Sequence, residues 1–269
     1  FDHFTQSLRT FTISLINAGF LLSGIFGPMI SELIVTYFQW EGVFVFFSLI
    51  YFLLFLLALL ILSPVHTVIS TRDKPWKHFI TLLSDRDLRI LYLIVFSLLL
   101  SFVTFYDSLF QFLSKTFPDQ SFMLVRSVGL VGTVSCLFSD ILMRTVGSKR
   151  LLLICSLSIS FSFFFMIVFY ESLVVIGALS VIYVAAISFF LPAIITYIGI
   201  LGSKFRGSAI SLYSFTLLIG TAVSPIISHN FSFLTVLALL GGWFLLNAVF
   251  ILGIRRGAYE LDKTSFLKT

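Results

Sequence analysis

Between Leu49 and Leu62 the chain is apolar on every face that a helix or a strand there can present. Such a run has no side to show to water, and its natural solvent is the hydrocarbon of a bilayer. It is not isolated. A helix rising about 1.5 Å per residue needs roughly 20 mainly apolar residues to cross. Stretches of that kind run over residues 12–38, 42–63, 90–113, 122–143, 150–170, 173–199, 208–228 and 233–254. Hydrophobic residues make up 59% of the 269, and charged ones 11%, less than half the roughly 25% of a soluble domain. A transmembrane barrel requires strands that alternate apolar and polar at period two, and only Ser156–Ser162 does so, briefly. In hydrocarbon the remaining way to satisfy the backbone is the helix. The sequence thus predicts an all-α membrane protein with eight transmembrane helices.

Part of this pattern occurs twice. Arg9-x3-Ile13-Ser14-Leu15 through Pro28-x-Ile30-Ser31 returns as Arg206-x3-Ile210-Ser211-Leu212 through Pro225-x-Ile227-Ser228, 197 positions on throughout. Leu21 matches Leu218, and Ser23, Gly24 and Gly27 match Gly220, Thr221 and Ser224, small residues opposite small ones. This is the mark of a duplicated structural unit. If the first span is equivalent to the seventh, the unit is six spans long. Four helices are then expected ahead of Phe1.

Charge orients the spans. Fifteen of the 17 Lys and Arg residues fall in connections on one side: Arg9; Arg72 to Arg89; Arg144, Lys149 and Arg150; Lys204 and Arg206; and the stretch from Arg255 to Lys268. The opposite connections hold Lys115 beside Glu41, Asp119 and Glu171. The positive-inside bias places both termini and the 64–89 segment in the cytoplasm of a multi-pass protein of the plasma or inner membrane. The net charge of +5 then reflects topology and an anionic leaflet, not nucleic acid. Within 64–89, Pro75 to Leu83 follows the capping residue Asp73 and reads as a surface helix with Trp76, Phe79, Ile80 and Leu83 toward the membrane. Cys136 and Cys155 lie in apolar spans and read as small hydrophobes.

Six plus six helices, parallel repeats, a central cytoplasmic loop and cytoplasmic termini resemble the major facilitator superfamily of secondary transporters. The chain is similar to its helices five to twelve, a partial twelve-helix fold that is N-terminally truncated. On that reading, 1–63 holds the last two helices of the N-terminal half, 64–89 the central loop, 90–256 the C-terminal half and 257–269 a tail. The likeness is to the drug:proton antiporter and sugar-efflux branch: Gly27-Pro28 occupies the place of its fifth-helix Gly-Pro, and Trp40-Glu41-Gly42-Val43-Phe44 that of its Trp-Arg-x-x-Phe. Ser14, Ser23, Ser31 and Glu32 replace the family's other glycines, and Glu41 its arginine. Asp140-x3-Arg144-x2-Gly147-Ser148-Lys149-Arg150 is similar to the family's cytoplasmic turn motif, with its aspartate set further from the glycine. The resemblance implies packing and gating roles for Gly27, Pro28, Asp140, Gly147, Lys149 and Arg150.

The third span shows where a solute passes. Ser97, Ser101, Thr104, Asp107, Ser108, Gln111 and Ser114 recur mostly every three or four residues, one polar stripe on an apolar helix. A stripe of this kind faces the bundle interior or a water-filled path. Asp107 is its one ionisable group, and an intramembrane carboxylate is a functional candidate by default: it takes up a proton or attracts a cation, or else caps or pairs within a broken helix. Glu32, four residues beyond Pro28, is a second acid, with interfacial exposure as its alternative. Arg126 is the candidate counter-charge for Asp107, with snorkelling as its alternative. Tyr106, with Phe105, Phe110 and Tyr213, is an aromatic candidate for an amphipathic solute. Gly24, Gly27, Ser31, Gly129, Thr133, Ser211, Ser214, Thr221, Ser224 and Ser228 read as helix-packing seams.

Enzymatic chemistry finds no support. His3, His66, His78 and His229 sit at or beyond span ends with no metal spacing, and there is no Walker-type phosphate loop. The expectation is a secondary active transporter without a cofactor, driving proton-coupled efflux of a small organic solute or drug by alternating access. The competing expectation is a non-transporting scaffold or receptor, or a fragment that works only with its missing helices or a second copy.

Overall fold

The computed structural model describes residues 6–61, 75–116, 128–129 and 131–254, and it is helical almost throughout. In chain order the helices are α1 (Gln6–Ile61), α2 (Pro75–Ser84), α3 (Arg86–Thr116), α4 (Ser139–Val146), α5 (Ser148–Val168), α6 (Leu173–Leu201), α7 (Arg206–Asn230) and α8 (Phe233–Gly253). Short 3-10 turns at Val134–Phe138 and Ser203–Phe205 lead into α4 and α7. Six segments of the described residues are long and apolar enough to cross a membrane: Leu33–Ile61, Arg86–Thr116, Ser148–Val168, Leu173–Leu201, Ser203–Asn230 and Phe233–Gly253. The protein is an all-α, multi-pass membrane protein.

The expected spans 12–38 and 42–63 both fall on α1, which is two helices joined at a kink. Gln39 stands at φ 62°, ψ 176°, a left-handed value that costs a residue with a Cβ. The expected span 122–143 lies partly outside the described residues. Its described part is not one regular helix, since the 3-10 turn at Val134–Phe138 interrupts it. Contacts divide the chain into two units, Leu22–Lys74 and the remainder. In the first, the side chains from Tyr51 to Leu57 are all exposed. That is what a segment apolar on every face requires of a hydrocarbon surround.

The second unit is a bundle of α3, α5, α6, α7 and α8. α3 is its axis: 72% of its most apolar stretch is buried, against 22% for α7, so polar groups on α3 find partners inside the protein. Its contacts to α7 advance in the same direction along both helices. Tyr92 donates to the Ala209 carbonyl, Thr104 meets Ser224, Asp107 meets Ser228 and Gln111 meets His229, which makes the pair parallel. Gly220 lets them close: a Cβ there would collide with the Phe96 carbonyl on α3. α8 runs antiparallel to both α3 and α5. Asn247 donates to Ser97 at 2.7 Å while Phe233 stacks on Phe112 near the other end of α3. Ser156 and Ser160 of α5 donate to the carbonyls of Phe244 and Gly241, each at 2.8 Å. Phe105, Phe163 and Tyr183 fill the centre, with ring centroids 4.7–5.7 Å apart.

Two connections hold the end of the bundle where α3 begins. Gly147, at φ 84°, makes the turn from α4 into α5, and its N–H bonds to the Met143 carbonyl at 2.9 Å. Lys149 then reaches the last carbonyls of α8, donating to Ile254 at 2.6 Å and Leu252 at 3.4 Å. A cation at a helix C-terminus is favourable there because the carbonyls it meets have no intrahelical donors. α2 begins at Pro75, suited to a first helical position. Leu82 is buried and the His78 ring stacks on Phe205 at 4.0 Å. Ile80 and Leu83, two of the residues expected to face the membrane, are exposed, Phe79 is half-buried, and the side chain of Trp76 lies outside the described residues. Cys136 and Cys155 are both buried.

Candidate functional site

The first three residues of the polar stripe of α3 face into the bundle, and each meets a different helix. Ser97 receives Asn247 of α8; Ser101 shares a hydrogen bond with Tyr183 of α6 at 3.0 Å; Thr104 bonds Ser224 of α7 at 2.8 Å. All six residues are buried. A stripe at helical spacing on a central helix leads to this result, because every third or fourth position turns toward the interior while the surroundings offer no water. Interhelical bonds of this kind contribute on average about 0.6 kcal/mol each in a membrane bundle. They fix the rotation of α3 more than they stabilise it.

At Asp107 the stripe changes character. The Ser228 hydroxyl donates to the Asp107 carboxylate and Nε2 of His229 lies 3.8 Å from the same oxygen. Nδ1 of His229 is 3.3 Å from Nε2 of Gln111. The Asp107 side chain is 32% exposed and that of His229 65%, so the carboxylate stands at the boundary between the packed interior and the open end of the bundle. One α-helical turn further, Ser108, Gln111, Phe112 and Lys115 line a small cleft of about 210 Å3, closed from the other side by Ser228, Phe231, Ser232 and Phe233. The arrangement sets a carboxylate, a hydroxyl, an imidazole and an amide side by side where the bundle opens.

The other expected site residues are dispersed. Tyr106 is buried against Phe102 and Phe105, and its hydroxyl occupies the space a Cβ on Gly129 would take. Phe105 and Tyr213 are likewise buried, and Phe110 is exposed. Gly27 accepts a hydrogen bond from Ser31 at 2.8 Å within α1, and Arg150 is exposed at the start of α5. Arg126 lies outside the described residues, as do the side chains of Pro28, Glu32 and Asp140. Sequence reasoning missed His229, Tyr183 and Asn247. The first looked like a residue of a connection, and the other two are single polar positions in apolar helices, without the periodicity that exposed the stripe. Ser224 and Ser228 were singled out, but as packing residues.

A model of the Major Facilitator Superfamily matches residues 1–225. The chain belongs to that family. Its members are membrane transporters, and the matched region takes in Gly27-Pro28, the whole of α3 and the Gly147 turn. No curated protein and no solved structure matches the chain. For a Major Facilitator Superfamily protein, an acid inside the bundle joined to two residues of a parallel helix is where transport chemistry is to be sought.

Proposed function

We propose that the chain serves a secondary active transporter that expels a small organic solute in exchange for protons, with Asp107 as the carboxylate that takes up and releases the proton. The observation that carries this reading is the contact of Asp107 with Ser228 and His229 at the end of the polar stripe. A carboxylate within a span is a functional candidate by default, and here it has a hydroxyl donor and an imidazole beside it, with an opening through which a proton is exchanged. Ser228 and His229 belong to α7 and Asp107 to α3, so protonation weakens the bond between two helices and favours a change in their packing. That is how a proton is coupled to rocking of the two halves around a central solute path. The basic residues at the start of α3, α5 and α7 support a cytoplasmic position for that end, with the Asp107 cluster then toward the outside.

The test is reconstitution of the full chain in vesicles with an imposed pH gradient. Gradient-driven solute movement is expected for the native protein, and Asp107→Asn should abolish the dependence on the gradient while leaving downhill exchange. Undiminished proton-driven movement in the Asn variant removes Asp107 from the mechanism. No movement of any solute by the native chain would remove the reading itself.

A further inference from the structure

The cleft beside Asp107 contains a group that the proton chemistry does not use. Ser108 is 3% exposed, and its side chain, which lines the cleft, has no hydrogen-bonding partner among the described residues. A buried hydroxyl left without a partner costs about 1–3 kcal/mol. A protein retains that cost where something else completes the bond. The remaining walls say what. Ser108, Gln111, Phe112 and Lys115 stand at i, i+3, i+4 and i+7 on one face of α3, so a hydroxyl at the base, an amide at mid-height and an ammonium at the rim follow one line. Phe112 of that line stacks on Phe233 with centroids 4.8 Å apart, and Phe231 adds a third aromatic side chain. Among the described residues, Lys115 is the only charged one that lines the cleft. The Asp107 carboxylate is turned to Ser228 and His229. The volume of about 210 Å3 is below the ~300–1,000 Å3 of sites for drug-sized ligands, so the occupant is small.

We infer that this cleft binds a small organic monocarboxylate with a flat apolar body, its carboxylate between the Ser108 hydroxyl and the Lys115 ammonium, whose four-carbon stem can reach back along α3, and its ring against Phe112, Phe231 and Phe233. The inference deepens the transporter reading by naming the class of solute, and it rests on that reading only for the statement that the bound molecule is moved.

Equilibrium binding of radiolabelled benzoate to the full chain in detergent tests the site without any gradient. Benzoate should bind in preference to benzyl alcohol, which lacks the charge, to acetate, which lacks the ring, and to benzylamine, whose charge is reversed. Lys115→Gln should weaken it about tenfold, the size of a charge-assisted bond at an exposed and partly screened site, and Lys115→Arg should restore most of the affinity. Ser108→Ala should weaken benzoate while leaving the melting temperature of the free protein unchanged or higher, because the substitution removes an unpaired polar atom. A fall in melting temperature with benzoate affinity intact would make Ser108 structural and overturn its role. Equal binding of benzylamine or acetate overturns the ligand class, and so does a Lys115→Gln variant that binds as the native protein does. If benzoate fails to bind while another solute follows the pH gradient, the cleft assignment falls and the transporter reading stands. If benzoate binds and no solute follows the gradient, the reverse holds.

Discussion

The two copies of the repeated segment share a backbone and differ in where their side chains turn. Gly27-Pro28-Met29-Ile30-Ser31-Glu32 and Ser224-Pro225-Ile226-Ile227-Ser228-His229 are both helical throughout, each with an internal proline. In the first, the Ser31 hydroxyl folds back onto the Gly27 carbonyl of its own helix at 2.8 Å. In the second, Ser228 reaches across to Asp107 and Ser224 to Thr104. A serine in a helix can do either, because the i−4 carbonyl is always within reach. What decides is whether a neighbouring helix presents a better acceptor. Both helices carry small residues along one face, and the neighbouring helix decides whether a hydroxyl on that face bonds its own backbone or reaches across.

The contrast can be broken at several points. The largest effect belongs to Gly220, whose counterpart in the first copy is Ser23, an exposed residue. Gly220→Leu forces a side chain into the Phe96 carbonyl and should cost about 3 kcal/mol or abolish a monodisperse preparation. Ser23→Leu should leave the melting temperature within experimental error. Size-exclusion profiles and thermal melts of the two variants side by side would show it, and equal behaviour would mean that the copies are packed alike. Next in size is the pair Ser228→Ala and Ser31→Ala. Losing a donor to a carboxylate should lower stability by about 1.5 kcal/mol, whereas losing a hydroxyl bonded within its own helix should change it by less than about 0.3 kcal/mol. The smallest is the coupling between Thr104 and Ser224. A double-mutant cycle with alanine at both positions should return about 0.6 kcal/mol, and a value near zero would mean that the bond orients the helices without stabilising them.

These comparisons also mark how far the residues alone could be read. The break at Gln39 falls between two expected spans, the helix beginning at Pro75 appears where a proline follows a capping residue, and Gly147 makes its turn, because each depends on a few neighbouring residues. The stripe from Ser97 to Ser114 was legible for a similar reason: its period is that of one helix. Its partners were not. That Ser101 meets Tyr183 and Ser97 meets Asn247, 82 and 150 positions away, depends on the rotation and relative height of packed helices, which no local pattern records. His229 shows the limit most clearly, since at the end of a span it has the appearance of a loop residue. It becomes part of a site only because α7 runs parallel to α3 and ends beside Asp107.

The bond from Lys149 to the end of α8 sets an order of events. Its two partners lie 105 residues apart along the chain, and at a synthesis rate of about 5–20 residues per second the second emerges roughly 5–20 s after the first. Throughout that interval α5 lacks this partner. The Lys149 clasp can therefore form only after α8 has been made, long after the helix it secures.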